Sequence, residues 1–153
     1  MPIFKAVKKE ENLQKSIHAI FDMDLSIDGD WGYSEEKATI IHAGNKMPKK
    51  QLQHMLITMR SHLEMNITEV ADNRYGAINA NESAREVIEN NTKTFDKVTY
   101  KITAMKEDLY NAFIKEYKAG YENGLDLSEH FKRREEATLV REVVYYFDVT
   151  SLS

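Results

Sequence analysis

The chemistry this sequence could carry begins with the fifteen residues from Asp22 to Glu36, which hold six carboxylates (Asp22, Asp24, Asp28, Asp30, Glu35 and Glu36) and neither Lys nor Arg. Acids crowded this closely repel one another. Solvent relieves the repulsion, and so does a hard cation such as calcium, which takes roughly six to eight oxygens from a flexible loop. The order of the residues is more specific than their number. Asp24, Ser26 and Asp28 stand at alternate positions, Gly29 follows where such a loop bends, Asp30 offers its carbonyl, and Glu35 comes six residues after the glycine. Asp24, Ser26, Asp28, Asp30 and Glu35 are therefore the candidate metal ligands, with calcium as the candidate ion. The competing reading is a solvated loop in which Asp28-Gly29 is an ordinary turn dipeptide.

Other reactive arrangements are scarce. No Cys is present, which excludes disulfides, thiolate zinc sites and cysteine nucleophiles. No His follows a Glu by three positions, no two His flank a Glu in the zinc-protease spacing, and neither a Gly-x-Ser-x-Gly turn nor a phosphate-cradling glycine loop occurs. A non-enzymatic role is the expectation. His54 and His62 stand eight apart on one helical stretch and could share a face with Gln51 or Glu64. Lys46, Lys49 and Lys50 form a basic patch at a helix start, where the dipole already presents positive charge, and Lys132, Arg133 and Arg134 form another. Eight Tyr supply amphipathic rings suited to interfaces.

These groups must be held by a chain of 153 residues, 42% apolar and 30% charged, with six Gly and two Pro. That composition suits one soluble domain spanning residues 1–153. With 21 basic and 25 acidic side chains the net charge is −4, which disfavours nucleic acid as a partner. The amino terminus has no apolar run of signal-peptide length, and the apolar block Val143 to Phe147 is far short of a membrane span, so a cytoplasmic protein is expected, without membrane contact.

Apolar spacing of three and four predicts helices over residues 11–23 (Leu13, Ile17, Ile20, Phe21) and from Pro48 through Leu52, Leu56, Leu63 and Ile67. A shorter helix is expected from about Asn81 through Ala84, Val87 and Ile88, ending at Asn90 to Thr92. Residues 95–119 obey two periods at once. The β-branched residues before Met105 favour a strand over 96–104, and Lys106 to Ala119 favour a helix stopping at Gly120. Ser128 opens a further helix through Phe131 and Val140, residues 143–150 read as a strand pairing with 96–104, and Phe4 to Val7 and Thr39 to Ile41 are candidate short strands. The expected fold class is α+β, helix-rich, with a small antiparallel sheet; an all-α fold is the alternative.

The acidic stretch resembles the EF-hand calcium loop, in which the first, third and fifth side chains and a late glutamate surround the ion. The preceding helix supplies Ala19, Ile20 and Met23 where that family has its apolar face. A second stretch keeps the skeleton without the ligands: Gly76, Ile78 and Glu82, with Asn73 retaining one oxygen but Ala71 and Tyr75 at ligand positions. Trp31 and Ile78 then occupy the position at which paired EF-hand loops join by a short strand. Asp28, Gly29, Trp31 and Glu35 are also similar to the tellurite-resistance B-like proteins, small helical domains with this spacing. The resemblance covers about a third of the chain. It departs at the bulky Trp31, at the weak helix start Lys37 to Thr39, and in the β-rich tail.

Two functions are open on these grounds. One is a non-enzymatic calcium-binding regulatory or stress-associated protein, with Glu35 coupling occupancy to the segment after it. The other is a metal-free protein-interaction module, of inhibitor or immunity type, that presents its acidic loop and tyrosines to a protein partner.

Overall fold

The computed structural model describes residues 4–67 and 74–152. Helix α1 (Leu13–Phe21) begins at Asn12, whose side-chain oxygen accepts from the Lys15 amide, and ends at Asp22 in the left-handed conformation. A short hairpin follows, β1 (Ile27–Gly29) and β2 (Thr39–Ile41), and then α2 (Lys49–His62), which continues into a π-helical turn over Leu63–Ile67. Strands β3 (Tyr75–Asn90) and β4 (Lys93–Lys106) form a long hairpin closed by Asn91 and Thr92, with Asn91 at a φ of 60° that asparagine tolerates. Helices α3 (Glu107–Glu122) and α4 (Ser128–Ala137) form a second hairpin, and β5 (Leu139–Asp148) returns to the sheet.

The sheet order is β1-β2-β5-β4-β3, antiparallel throughout except where β5 lies parallel to β2. The last strand therefore enters the middle of the sheet and joins its two hairpins. Strand alternation puts Asp96, Val98, Tyr100 and Ile102 of β4 on one face, opposite Phe147, Tyr145, Val143 and Arg141 of β5. Helix α2 covers that face, and its Leu52, Leu56 and Ile57 are fully buried with Val98, Ile102, Tyr145 and Phe147. Leu13 and Ile17 of α1 and Trp31 of the β1–β2 connection extend the same cluster toward the opposite edge. Each such side chain contributes about 1.5–3 kcal/mol by leaving water.

The structure corrects the sequence-based fold class. The molecule is α+β, but the expected small antiparallel sheet of a helix-rich domain is instead five-stranded and mixed, and the all-α alternative fails because both contested segments are strands. Residues 96–104 and 143–148 do pair, within the longer β4 and β5. The helix expected from Asn81 to Ile88 is the central part of β3. A register shift between Glu82 and Ala84 breaks the two-residue alternation there, and the outer half of the strand is largely exposed, so no apolar stripe marks it as a strand. Helix α3 passes through Gly120, where a Cβ would meet Leu127 of the inter-helix connection, and ends at Glu122. Helix α4 stops at Ala137 rather than Val140, and the strand expected from Phe4 to Val7 is absent, residues 4–10 having no strand pairing.

Candidate functional site

The five candidate ligands lie in and around β1, with Asp28 in the strand, Asp24 and Ser26 before it and Asp30 and Glu35 in the connection after it. Leu25 and Ile27 point inward and are buried, while Asp24, Ser26 and Asp28 alternate with them on the outer side. Asp24 accepts from His18 Nδ1 at 2.8 Å. Ser26 is tied to the next turn, its amide donating to Asn45 Oδ1 at 2.8 Å. Asp28, in β1, accepts from Asn12 Nδ2 at 3.3 Å and has His42 Nε2 at 3.5 Å. Asp30 turns back onto the backbone, its carboxylate accepting from the Trp31 amide at 2.6 Å and its carbonyl from Thr39 Oγ1 at 2.5 Å. The Glu35 carboxylate accepts from Asn90 Nδ2, at 3.4 Å, from the far end of β3. The chain after Glu35 turns directly into β2, with no helix. Among the described residues no three His, Asp or Glu side chains converge as a set that could hold a metal. In the second stretch, Gly76, Ile78 and Glu82 belong to β3, while Ala71 and Asn73 lie outside the described residues.

The glycines of the acidic stretch serve packing. Gly29 has a φ of +85°, and a Cβ there would lie 2.3 Å from the Ala38 carbonyl oxygen. Gly32, at a φ of +81°, presses on the ring of Tyr145, where a Cβ would come within 2.1 Å. Between them the buried Trp31 points its carbonyl at Arg60.

Arg60 is 1% exposed, and the sequence reading missed it. It donates to the carbonyls of Trp31 at 3.1 Å and Val144 at 2.9 Å, and its guanidinium lies 4.4 Å from the Tyr33 ring centroid and 4.5 Å from that of Tyr145. Glu64, one turn on and also buried, accepts from Tyr33 Oη at 2.7 Å and from Arg141 at 3.1 Å. The hydroxyl of Tyr33 also accepts from the Val7 amide at 2.9 Å, which fastens the amino-terminal segment. Burial, then the Glu64 hydrogen bond, raises the Tyr33 phenol well above its ordinary range; burial alone does most of this to Tyr100, and it pushes Tyr145 up to about 12. The visible signal was an arginine within the apolar stripe of the best helix, between Leu56 and Leu63.

The remaining basic side chains divide. Lys49 reaches the buried Asp96 at 2.9 Å, alongside Gln53 at 2.8 Å and Arg85 at 3.3 Å, so one carboxylate offsets part of the charge at the α2 start. Arg133 pairs with Glu116, which also has the buried His130 at 3.1 Å. The Arg133 hydrogen bond is the main reason the Glu116 carboxyl titrates below its usual range. On the same hairpin the rings of Tyr121, Tyr117 and Phe131 run side by side, with centroids 6.1 and 5.9 Å apart, and Tyr121 and Phe131 are exposed.

His54 and His62 share the outer face of α2. Glu64 does not join them, because it points to the opposite, buried side. Beside His54 a recess of about 600 Å³ opens between α2 and the first half of β3, with Thr58 on the helix wall and Ile78 to Asn81 on the strand wall. A second hollow of about 460 Å³ continues past His54 and Thr58 to His62, over Phe21, Met55 and Met59. Among the described strands β3 pairs with β4 alone, so its other edge is the border of the described sheet and adjoins this groove. The carbonyl of Ala80 points off that edge and accepts from His54 Nε2 at 2.9 Å. In a strand the N–H and C=O of one residue project the same way, so the Ala80 amide also faces outward. No described helix is long and apolar enough to cross a membrane. Comparison with family models, with curated proteins and with solved structures finds no match.

Proposed function

We propose that this chain is a cytoplasmic protein-interaction module that takes up an extended segment of a protein partner along the β3 edge, in the groove beside α2. The observation that carries this reading is the Ala80 carbonyl, a main-chain acceptor turned away from the sheet into a groove and satisfied by one exposed histidine. A sheet border with outward backbone groups is a template for an added strand, with flanking pockets for alternate side chains. His54 holds the place that a partner N–H would take. The exposed rings of Tyr121 and Phe131 offer a separate aromatic surface on the α3–α4 hairpin, which supports the same class of function.

The test is crosslinking followed by mass spectrometry on the full chain in lysate, with Thr58→Trp as the groove-filling control. Crosslinks that map to residues 78–82 and disappear in the variant support the proposal. A partner crosslinked equally in both proteins, or crosslinks confined to other surfaces, removes it.

Calcium binding through Asp24, Ser26, Asp28, Asp30 and Glu35 is the second proposal. The side chains of Asp24 and Asp28 are 84% and 53% exposed and are flanked by His rather than by Lys or Arg, so neither charge is permanently neutralised. Identical melting temperatures in chelator and in millimolar calcium remove this proposal.

A further inference from the structure

Resting on that reading of the β3 edge, we infer that the segment received by the groove is acidic. The chain as a whole is acidic, yet residues 37–63 contain Lys37, Lys46, Lys49, Lys50, Arg60 and three His without a single Asp or Glu. Helix α2 lies wholly within this stretch and forms one wall of the groove. Neither hollow has a carboxylate in its lining, and the strand wall contributes Ile78, Asn79, Ala80 and Asn81, all uncharged. The nearest acid along the strand, Glu82, is held by Arg85 through hydrogen bonds of 2.6 and 3.1 Å and is further offset by Lys50. Lys49 and Arg60 are engaged by groups of the fold, but His54, in the lining, and Lys50, about one turn before it on α2, are exposed.

The amino-terminal turn of α2 adds to the same field. Its cap position is Pro48, which provides no side-chain hydrogen bond to the first amides, its first turn holds no acidic residue, and the nearby carboxylate of Asp96 is already shared among Lys49, Gln53 and Arg85. An acidic strand laid along β3 would place backbone groups against the outward groups of Ala80 and carboxylates against Lys50, His54 and the helix start. A basic strand would meet Lys50 and find no acid in the lining to receive it. Electrostatic complementarity of this kind selects partners and weakens with salt.

Two labelled hexapeptides, acetylated Val-Glu-Val-Glu-Val-Glu and its Val-Lys counterpart, probe the full chain by fluorescence anisotropy. The expected result is that the Glu peptide binds at least about tenfold tighter than the Lys peptide at about 50 mM salt, with the preference falling to about threefold or less at about 500 mM. Thr58→Trp should abolish binding of the Glu peptide. Asn81→Glu, at an exposed position, should weaken that peptide severalfold and improve the Lys one, and it keeps the test open if the tryptophan variant fails to fold. Equal binding of the two peptides overturns the inference about charge and leaves the docking edge standing. Binding of neither, with a monomeric chain at all concentrations, overturns the docking edge itself. Binding of neither together with self-association that Asn81→Glu disrupts assigns the groove to a second copy of the chain and overturns an acidic segment of another protein.

Discussion

Two polar regions flank α2, and they serve opposite ends. On the buried side Arg60 and Glu64, with Tyr33, Tyr145 and Arg141, are satisfied almost wholly by one another and by main-chain carbonyls. On the exposed side His54, His62 and Thr58 stand over a groove in which the main-chain acceptor of Ala80 is met by a single surface side chain. The inner set is nearly closed. Among the described residues Arg60 Nε is buried without a hydrogen-bond partner, but the other guanidinium nitrogens, the Glu64 carboxylate and the two tyrosine hydroxyls are bonded within the fold, and removing one strands another away from water. The outer set is open. Closure identifies a structural device and openness a docking surface, which is why the inner cluster, though richer in titratable groups, is not the proposed site.

The sharpest way to break this contrast is at Gly32. A methyl group there must displace the Tyr145 ring and adopt a left-handed backbone, so Gly32→Ala should cost about 3 kcal/mol or more in chemical denaturation. Arg60→Met keeps much of the volume but leaves the carbonyls of Trp31 and Val144 without their donor, and a loss of about 2–4 kcal/mol is expected. If either variant unfolds at the same denaturant concentration as the parent, the inner cluster is not the closed structural unit described.

Alkaline pH gives a smaller and graded effect. The phenols of Tyr33, Tyr100 and Tyr145 titrate higher in the folded chain than the ordinary 10.0, mainly through burial, Tyr145 at about 12. Above pH 10 the unfolded chain loses these protons first, so the stability they contribute is complete below pH 10 and is lost as the pH rises through about 12. Denaturation midpoints should be flat from neutrality to about pH 9.5 and then fall, with a shallower fall in Tyr145→Phe. A midpoint unchanged at pH 11.5 would contradict the burial of these rings.

The smallest effects belong to the exposed residues. Asp24→Asn and His54→Ala should each change stability by no more than about 0.5 kcal/mol, because both positions are solvated and the Ala80 carbonyl, freed from His54, can turn to water. A loss several times larger in His54→Ala would move the groove into the structural class and erase the distinction between the two sides of α2.

Much of this architecture is written in local spacing, and the misreadings have physical causes. The stripe of Leu52, Leu56 and Leu63 gives α2, and the β-branched run before Met105 gives β4, because each buries one continuous face. Strand β3 escapes because its outer half buries almost nothing and its bulge breaks the alternation. The alternate spacing of Asp24, Ser26 and Asp28 fits two structures: an ion loop uses every second side chain, and so does a strand with Leu25 and Ile27 facing inward. Spacing alone cannot separate them; in the fold Asp28 lies in β1, while Asp24 to Ser26 precede it outside any strand. Arg60 stands within the apolar stripe of α2, but that alone does not give its burial, because its partners, Tyr33, Trp31 and Val144, are distant in sequence. The groove could not be read at all, since the Ala80 carbonyl and the His54 ring meet only once β3 is laid against α2.

Hydrogen exchange at the Ala80 amide, followed by NMR with and without saturating Val-Glu peptide, tests the docking edge most directly. Rapid exchange in the free chain and strong protection in the complex is the expected result; an amide already protected in the free chain, or equally open in both states, would contradict it.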